Sequence, residues 1–294
     1  MNHAKIVKEI FPLTKDDIIN DYNKLEQLNC NQIKNMGMSR IGTNTTDYFT
    51  AIERLDTKVK TGRSFFEWLK LRPELLKKKY IINMIKYYEK KGIKLDYKIW
   101  WRLFNLFEGS INQFKAIIAM NIYCRFKPTS ILDFTMGWGG RLVGACALNI
   151  PKYTGIELNK NLKQPYTEMV SFLKQYTSTK IKLYFKDALK VDYSKIDYDL
   201  VLTSPPYYNL EIYKNVKKMT KDEWDTIFYK PLFSKTYEHL KLGGYYCLNV
   251  PDEVYKRVCL SLFGKATHQI LLPKAKRFAG STYKEYIYVW HKMI

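Results

Sequence analysis

Residue types and spacing suit chemistry best in the segment Tyr198-Asp199-Leu200-Val201-Leu202-Thr203-Ser204-Pro205-Pro206-Tyr207. An apolar, strand-like run ends there in two prolines, which cannot continue a strand ladder and hold the backbone in a fixed extended bend. Such a bend would keep the Ser204 hydroxyl and the Pro205 carbonyl still, as a hydrogen-bonding platform at the end of a buried strand. Two prolines can also serve simply to end a strand, so the neighbouring signals matter.

The second signal is Ile131-Leu132-Asp133-Phe134-Thr135-Met136-Gly137-Trp138-Gly139-Gly140-Arg141, a strand leaving through a glycine-rich turn into a helix. Glycines let a backbone adopt positive φ and come close to a ligand. The turn alone would fit an empty strand-to-helix connection equally well. Glu157 follows it by about twenty residues, the spacing at which a carboxylate can accept hydrogen bonds from two ribose hydroxyls at the crevice of an open α/β sheet. Asp187 ends the next strand, placed to receive an adenine amino group. In register after three successive strands, the set points to an adenosine ligand. A dinucleotide fits less well, because the third glycine of its fingerprint would fall at Leu142.

The elements that must position these residues read as an α/β pattern. Strands are expected at Ser130 to Phe134, Tyr153 to Leu158, Ile181 to Phe185, Tyr198 to Thr203, Tyr245 to Val250, His268 to Pro273 and Tyr286 to His291. Helices are expected to begin near Gly140, Asn161, Asp222 and Asp252. The last two strands lack room for a crossover helix between them and should pair antiparallel at the sheet edge. Residues 1–110 read differently, as a helix-rich, polar accessory region that could bind nucleic acid, against a catalytic domain over 111–294.

Composition bounds the function. Lys and Arg number 49 against 28 Asp and Glu, a net charge of +21. That balance favours a polyanionic partner, although a generally lysine-rich composition would produce it too. The five cysteines show no metal-ligand spacing and read as reduced core residues of an intracellular protein. No apolar run reaches the roughly 20 residues a membrane span needs, so no membrane partner is expected, and without metal-ligand spacing among Cys and His no metal is expected either.

Taken together, Ser204-Pro205-Pro206-Tyr207 and the glycine loop resemble the DNA amino-methyltransferases that carry an Asp/Asn/Ser-Pro-Pro-Tyr/Phe tetrapeptide. The resemblance covers about residues 110–294. It implies a Rossmann-like class I methyltransferase fold with a seven-stranded, mostly parallel sheet, S-adenosylmethionine as cofactor, and methylation of cytosine N4 or adenine N6 in DNA. It implies that Asp133, Phe134, Thr135, Gly137 and Gly139 hold the methionine end, Glu157 the ribose and Asp187 the adenine. Ser110, just upstream of the first strand, falls where the family has a further cofactor-contacting motif, though it also reads as a helix start. Ser204, Pro205, Pro206 and Tyr207 become the catalytic set, with the amine on Ser204 and the Pro205 carbonyl and Tyr207 stacked on a base flipped out of its helix. Tyr208, Lys276, Arg277 and Phe278 are candidates for nucleic-acid contact.

Several alternatives stay open at this point. RNA amino-methyltransferases carry a similar Asn-Pro-Pro-Tyr motif, so RNA is a second substrate class. An inactive methyltransferase-fold subunit that only binds nucleic acid is another reading, as is a small-molecule or protein methyltransferase. A partner subunit or a homodimer could supply specificity.

Overall fold

Seven runs rich in β-branched and aromatic residues form the strands of one sheet. In a computed structural model of the chain, the residues described are 1–208, 219–273 and 284–293, with the backbone of 211–212. The strands are β1 (Ser130–Asp133), β2 (Lys152–Ile156), β3 (Lys180–Tyr184), β4 (Leu200–Thr203), β5 (Tyr245–Val250), β6 (His268–Leu271) and β7 (Tyr286–His291). They lie in the order β3-β2-β1-β4-β5-β7-β6. The first five are parallel, β7 is antiparallel to β5, and β6 is antiparallel to β7. This is the expected Rossmann-like sheet, with the final pair antiparallel as its short connection requires.

Alternation along the strands explains why both faces are covered. Ile131, Leu200, Leu202, Cys247, Ile287 and Val289 belong to one core, while Leu132, Val201, Tyr246, Leu248, Tyr288 and Trp290 belong to the other. Successive side chains point to opposite faces of a strand, so a nearly continuous apolar run buries both. The first core is closed by the helices Ala116–Phe126, Gly140–Ala147 and Lys163–Leu173, the second by Lys230–Glu238 and the segment after Asp252.

The N-terminal region is helical, as expected, but its packing does not follow a boundary at residue 110. The helices Lys15–Glu26 and Cys30–Ile33 place Tyr22, Leu25 and Ile33 in the same core as Ile117, Met120 and Ile131. A capping box at Thr14 and Asp17 starts the first of these helices. A separate core forms farther out, from Ile6, Phe65, Trp68, Trp100, Leu103 and Phe104 among others. The N-terminal region also reaches the far side of the site, where Lys58–Val59 pairs antiparallel with Glu211–Ile212, just beyond the proline bend.

The cysteines correct one expectation. Cys30 and Cys124 form a disulfide, with Cα atoms 5.5 Å apart, while Cys146, Cys247 and Cys259 are free and buried. The two bonded residues are 94 positions apart in sequence, so only the docking of one helix on the other brings them together. Among the described residues, no helix is long and apolar enough to cross a membrane.

Because the sheet shares its core with Tyr22 and Leu25, a fragment beginning at residue 111 is expected to lack a cooperative unfolding transition. In the full chain, Leu25→Ala is expected to cost about 2–5 kcal/mol. Urea denaturation followed by near-ultraviolet circular dichroism checks both.

Candidate active site

Strand order reverses between β1 and β4, which are direct neighbours with Ile131 opposite Leu200 and Leu132 opposite Val201. A crevice opens at such a point beyond the carboxyl ends of the strands, and ligands of open α/β sheets bind there. The glycine loop leaves β1 and the proline bend leaves β4, so both chemical signals of the sequence emerge side by side.

Asp133 ties them together. It has no solvent exposure. Its Oδ2 accepts from Arg141 Nε and from the Tyr153 hydroxyl, each at 2.7 Å, and its Oδ1 accepts from Thr203 Oγ1 at 3.0 Å. Thr203 in turn lies 2.6 Å from Thr135 Oγ1. Arg141 also donates to the Thr135 carbonyl; burial disfavours its charge, but the negative charge and hydrogen bond of Asp133 outweigh that and hold the guanidinium firmly charged. Asp133 was expected to grip a ligand. Instead these three donors engage its carboxylate, and it shapes the loop from beneath. Phe134 departs from expectation in the same way, since its ring is buried in the core against Phe233.

The loop glycines divide into two kinds. A Cβ on Gly140 would lie 1.8 Å from the Phe114 carbonyl oxygen, and one on Gly139 would lie 2.8 Å from Met169 Sδ. Those two glycines allow close packing of the protein on itself. Gly137 has φ +56°, and a Cβ there would meet nothing nearer than the Thr135 carbonyl oxygen at 3.9 Å. Its open side is where a ligand can approach the backbone.

Glu157, just past β2, faces the same loop. Its carboxylate accepts the Gly137 N–H at 3.0 Å and the Asn159 N–H at 2.9 Å. Burial pushes its pKa up to about 7, against the opposing pull of those two N–H donors. A buried acid that titrates near neutrality at a crevice marks a functional site more often than a random one. Asp187 is half-buried and caps the turn Ala188–Lys190 through the Leu189 N–H at 3.0 Å.

At the proline bend the structure adds two residues that the sequence reading missed. Ser204 Oγ donates to Asn249 Oδ1 at 3.1 Å, and the Tyr207 hydroxyl reaches Asn249 Oδ1 at 2.8 Å and Glu285 Oε1 at 3.1 Å. Asn249 Nδ2 donates to Glu285 Oε1 and to the Tyr286 carbonyl. Asn249 and Glu285 are 3% and 6% exposed. A polar Asn inside the apolar run Tyr245–Val250, and an acid directly before β7, were the signals available in the sequence. From below, Tyr229 donates to the Pro206 carbonyl and accepts from the Tyr208 N–H. Among the described residues, no donor reaches the Pro205 carbonyl.

Tyr208 is a correction. Only 8% exposed, it takes the left-handed conformation at φ +51°, packs edge-on against Tyr229 and donates its hydroxyl to Asp225. Its ring braces the bend from inside and offers no face to a nucleic acid. Ser110 is exposed in an irregular stretch, and the helix that follows starts only at Ala116. The same stretch carries Gln113, which bonds Asp47 and Thr46, while Thr50 donates to the Trp138 carbonyl at 3.4 Å. The helix Thr43–Asp56 therefore roofs the glycine loop. Lys276, Arg277 and Phe278 lie outside the described residues. A cavity of about 360 Å³ lined by Tyr193 and His239 among others sits at the amino ends of the strands, away from the crevice.

No family model matches the chain, and no curated relative does. Among solved structures, the chain is similar to TrmN from Thermus thermophilus, with 14% identity over 60% of this chain and 49% of that one and a TM-score of 0.46. The chain thus spans about half of that protein. An rRNA methylase from Streptococcus thermophilus has 12% identity over 63% of this chain and 100% of its own, with a TM-score of 0.42. NSun6 from Pyrococcus horikoshii, solved with SFG, has 15% identity over 63% of this chain and 53% of its own, with a TM-score of 0.42.

The raised pKa of Glu157 sets a sign for stability. Between its ordinary value of 4.5 and the folded value of about 7, the folded chain keeps a proton that the unfolded chain has released. This group's contribution therefore declines as pH rises through that window, by on the order of 1–3 kcal/mol. Glu157→Gln is expected to remove that slope, as urea unfolding at pH 5, 6, 7 and 8 would reveal.

Proposed function

We propose that this chain transfers a methyl group from S-adenosylmethionine to the exocyclic amino nitrogen of cytosine or adenine in DNA. The observation that carries the reading is the Thr203 bridge. Thr203 immediately precedes Ser204 and touches Asp133 and Thr135 at the root of the glycine loop, so the ligand cradle and the acceptor platform form one site.

The residues present fit an adenosine-bearing cofactor. Gly137 offers an open backbone flank at positive φ, and Glu157 offers a buried carboxylate beside it that can take two ribose hydroxyls. Asp187 stands at the end of the third strand for the adenine amine. When bound, S-adenosylmethionine supplies a methyl carbon on a positively charged sulfur.

The chain's own work concerns the amine. The lone pair of an exocyclic amine is delocalised into its ring, which makes the nitrogen a weak nucleophile. Hydrogen bonds from its two N–H groups to Ser204 Oγ and the Pro205 carbonyl would draw it toward tetrahedral geometry and aim the lone pair. Both acceptors are held rigidly, one by proline geometry and the other by Asn249. A stacked base is inaccessible to this bend, so the target is flipped out or single-stranded. The net charge of +21 suits a polyanionic substrate.

Incubation of DNA and RNA with the protein and methyl-labelled cofactor, followed by nucleoside mass spectrometry, tests the reading. Label on N4-methylcytosine or N6-methyladenine from DNA is the expected result. Label on RNA alone would reassign the polymer, and no label on any base would sink the proposal. Ser204→Ala is expected to lower turnover about 100-fold while cofactor affinity changes little, and Glu157→Ala to weaken cofactor binding first. Single-turnover rates and calorimetric titration separate the two effects.

A further inference from the structure

A platform that binds an amine must present acceptors, yet two of its side chains, Ser204 and Tyr207, carry hydroxyl groups that can donate as well as accept. Left free to rotate, each hydroxyl could turn its proton toward a ring carbonyl as easily as its lone pair toward a ring amine. The direction of those two protons therefore decides what kind of base edge the site welcomes.

The buried pair behind the bend sets that direction. Asn249 Nδ2 has two hydrogens, and both point to groups that can only accept: Glu285 Oε1 at 3.0 Å and the Tyr286 backbone carbonyl at 3.1 Å. The amide is thus oriented by its partners, with Oδ1 facing Ser204 and Tyr207. Oδ1 receives the Ser204 hydroxyl at 3.1 Å and lies 2.8 Å from that of Tyr207, which also lies 3.1 Å from Glu285 Oε1. Ser204 Oγ and Tyr207 Oη are 3.3 Å apart, so one environment serves both. Among the described residues, Asn249 Oδ1 and Glu285 Oε1 stand behind the two hydroxyls as acceptors, and they draw the hydroxyl protons inward.

We propose that Asn249 and Glu285 fix the hydrogen-bond polarity of Ser204 and Tyr207, so that the platform turns only lone pairs toward the crevice and selects a base amine over a base carbonyl. The inference rests on reading the bend as the seat of a base amine. Ser204 Oγ and the Pro205 carbonyl then match the two N–H groups of cytosine or adenine. A carbonyl at the same ring position, as in uracil or hypoxanthine, meets acceptors alone, and acceptors left unpaired against a bound base discriminate strongly. Asn249 and Glu285 act through Ser204 and Tyr207 and are positioning residues.

The test compares binding of single-stranded deoxyoligonucleotides with one central cytosine, uracil, adenine or hypoxanthine, in saturating S-adenosylhomocysteine so that no turnover intervenes. The wild-type chain is expected to prefer an amino base over its carbonyl counterpart by about tenfold or more. Glu285→Gln, whose amide can donate toward Tyr207, and Asn249→Leu, which frees the Ser204 proton, are expected to bring that ratio to within about twofold of unity. A purely structural role would lower all four affinities together and leave the ratio intact, and that outcome overturns the proposal. So does a wild-type ratio near one. Should Asn249→Leu fail to fold, as judged by lost S-adenosylhomocysteine binding, Glu285→Gln carries the comparison. Failure to label any base in the turnover experiment would instead remove the methylation reading, and the binding ratio, read without turnover, keeps the two failures apart.

Discussion

A carboxylate without solvent exposure must find all its hydrogen bonds inside the protein or unfold it, and Asp133 is in that position at the end of the first strand. Its partners come from three places: Arg141 on the helix after the glycine loop, Tyr153 on the second strand and Thr203 at the end of the fourth. Removing any one would leave a buried polar group short of a partner, so loop, helix and bend are held in one arrangement. The crevice at the strand-order reversal has its shape because this knot lies beneath it.

Around the knot, the layers divide the labour. Parallel strands buried on both faces supply a stiff floor. The N-terminal helices complete one of the two cores and then extend over the site, through Thr50 on Trp138 and through Gln113 on Asp47. The ladder between Lys58–Val59 and Glu211–Ile212 brings the same region just past the proline bend. The polar groups that face the crevice are thereby backed by apolar packing or by other polar groups that are themselves satisfied, as preorganised sites require.

The fold was legible from local chemistry. Each of the seven strands lies within about two residues of its place in the sequence reading, because β-branched runs bounded by turn residues carry their own signal. The antiparallel final pair followed from loop length. The glycine loop, Glu157 and Ser204 were legible too, since their spacing along three strands reports their position at a sheet edge. The division at residue 110 was not, because helical periodicity shows that Tyr22 and Leu25 face something apolar without showing which surface. The disulfide escaped for the same reason: Cys30 and Cys124 meet only after two helices dock.

Side-chain direction is the remaining divide. From residue order alone, Asp133, Phe134 and Tyr208 sit among the ligand-facing positions, and only packing shows that the first is engaged by three internal donors and the other two are turned into the protein. Asn249 and Glu285, by contrast, lie 45 and 81 residues from Ser204 and share no motif with it. The sequence by itself determined the order of strands along the chain, the stiff bend and the acids at strand ends, since these follow from backbone restriction and period-two burial. The tertiary structure decided which of those groups face the crevice and which acceptors stand behind the Ser204 and Tyr207 hydroxyls, because that depends on partners brought together only by the sheet.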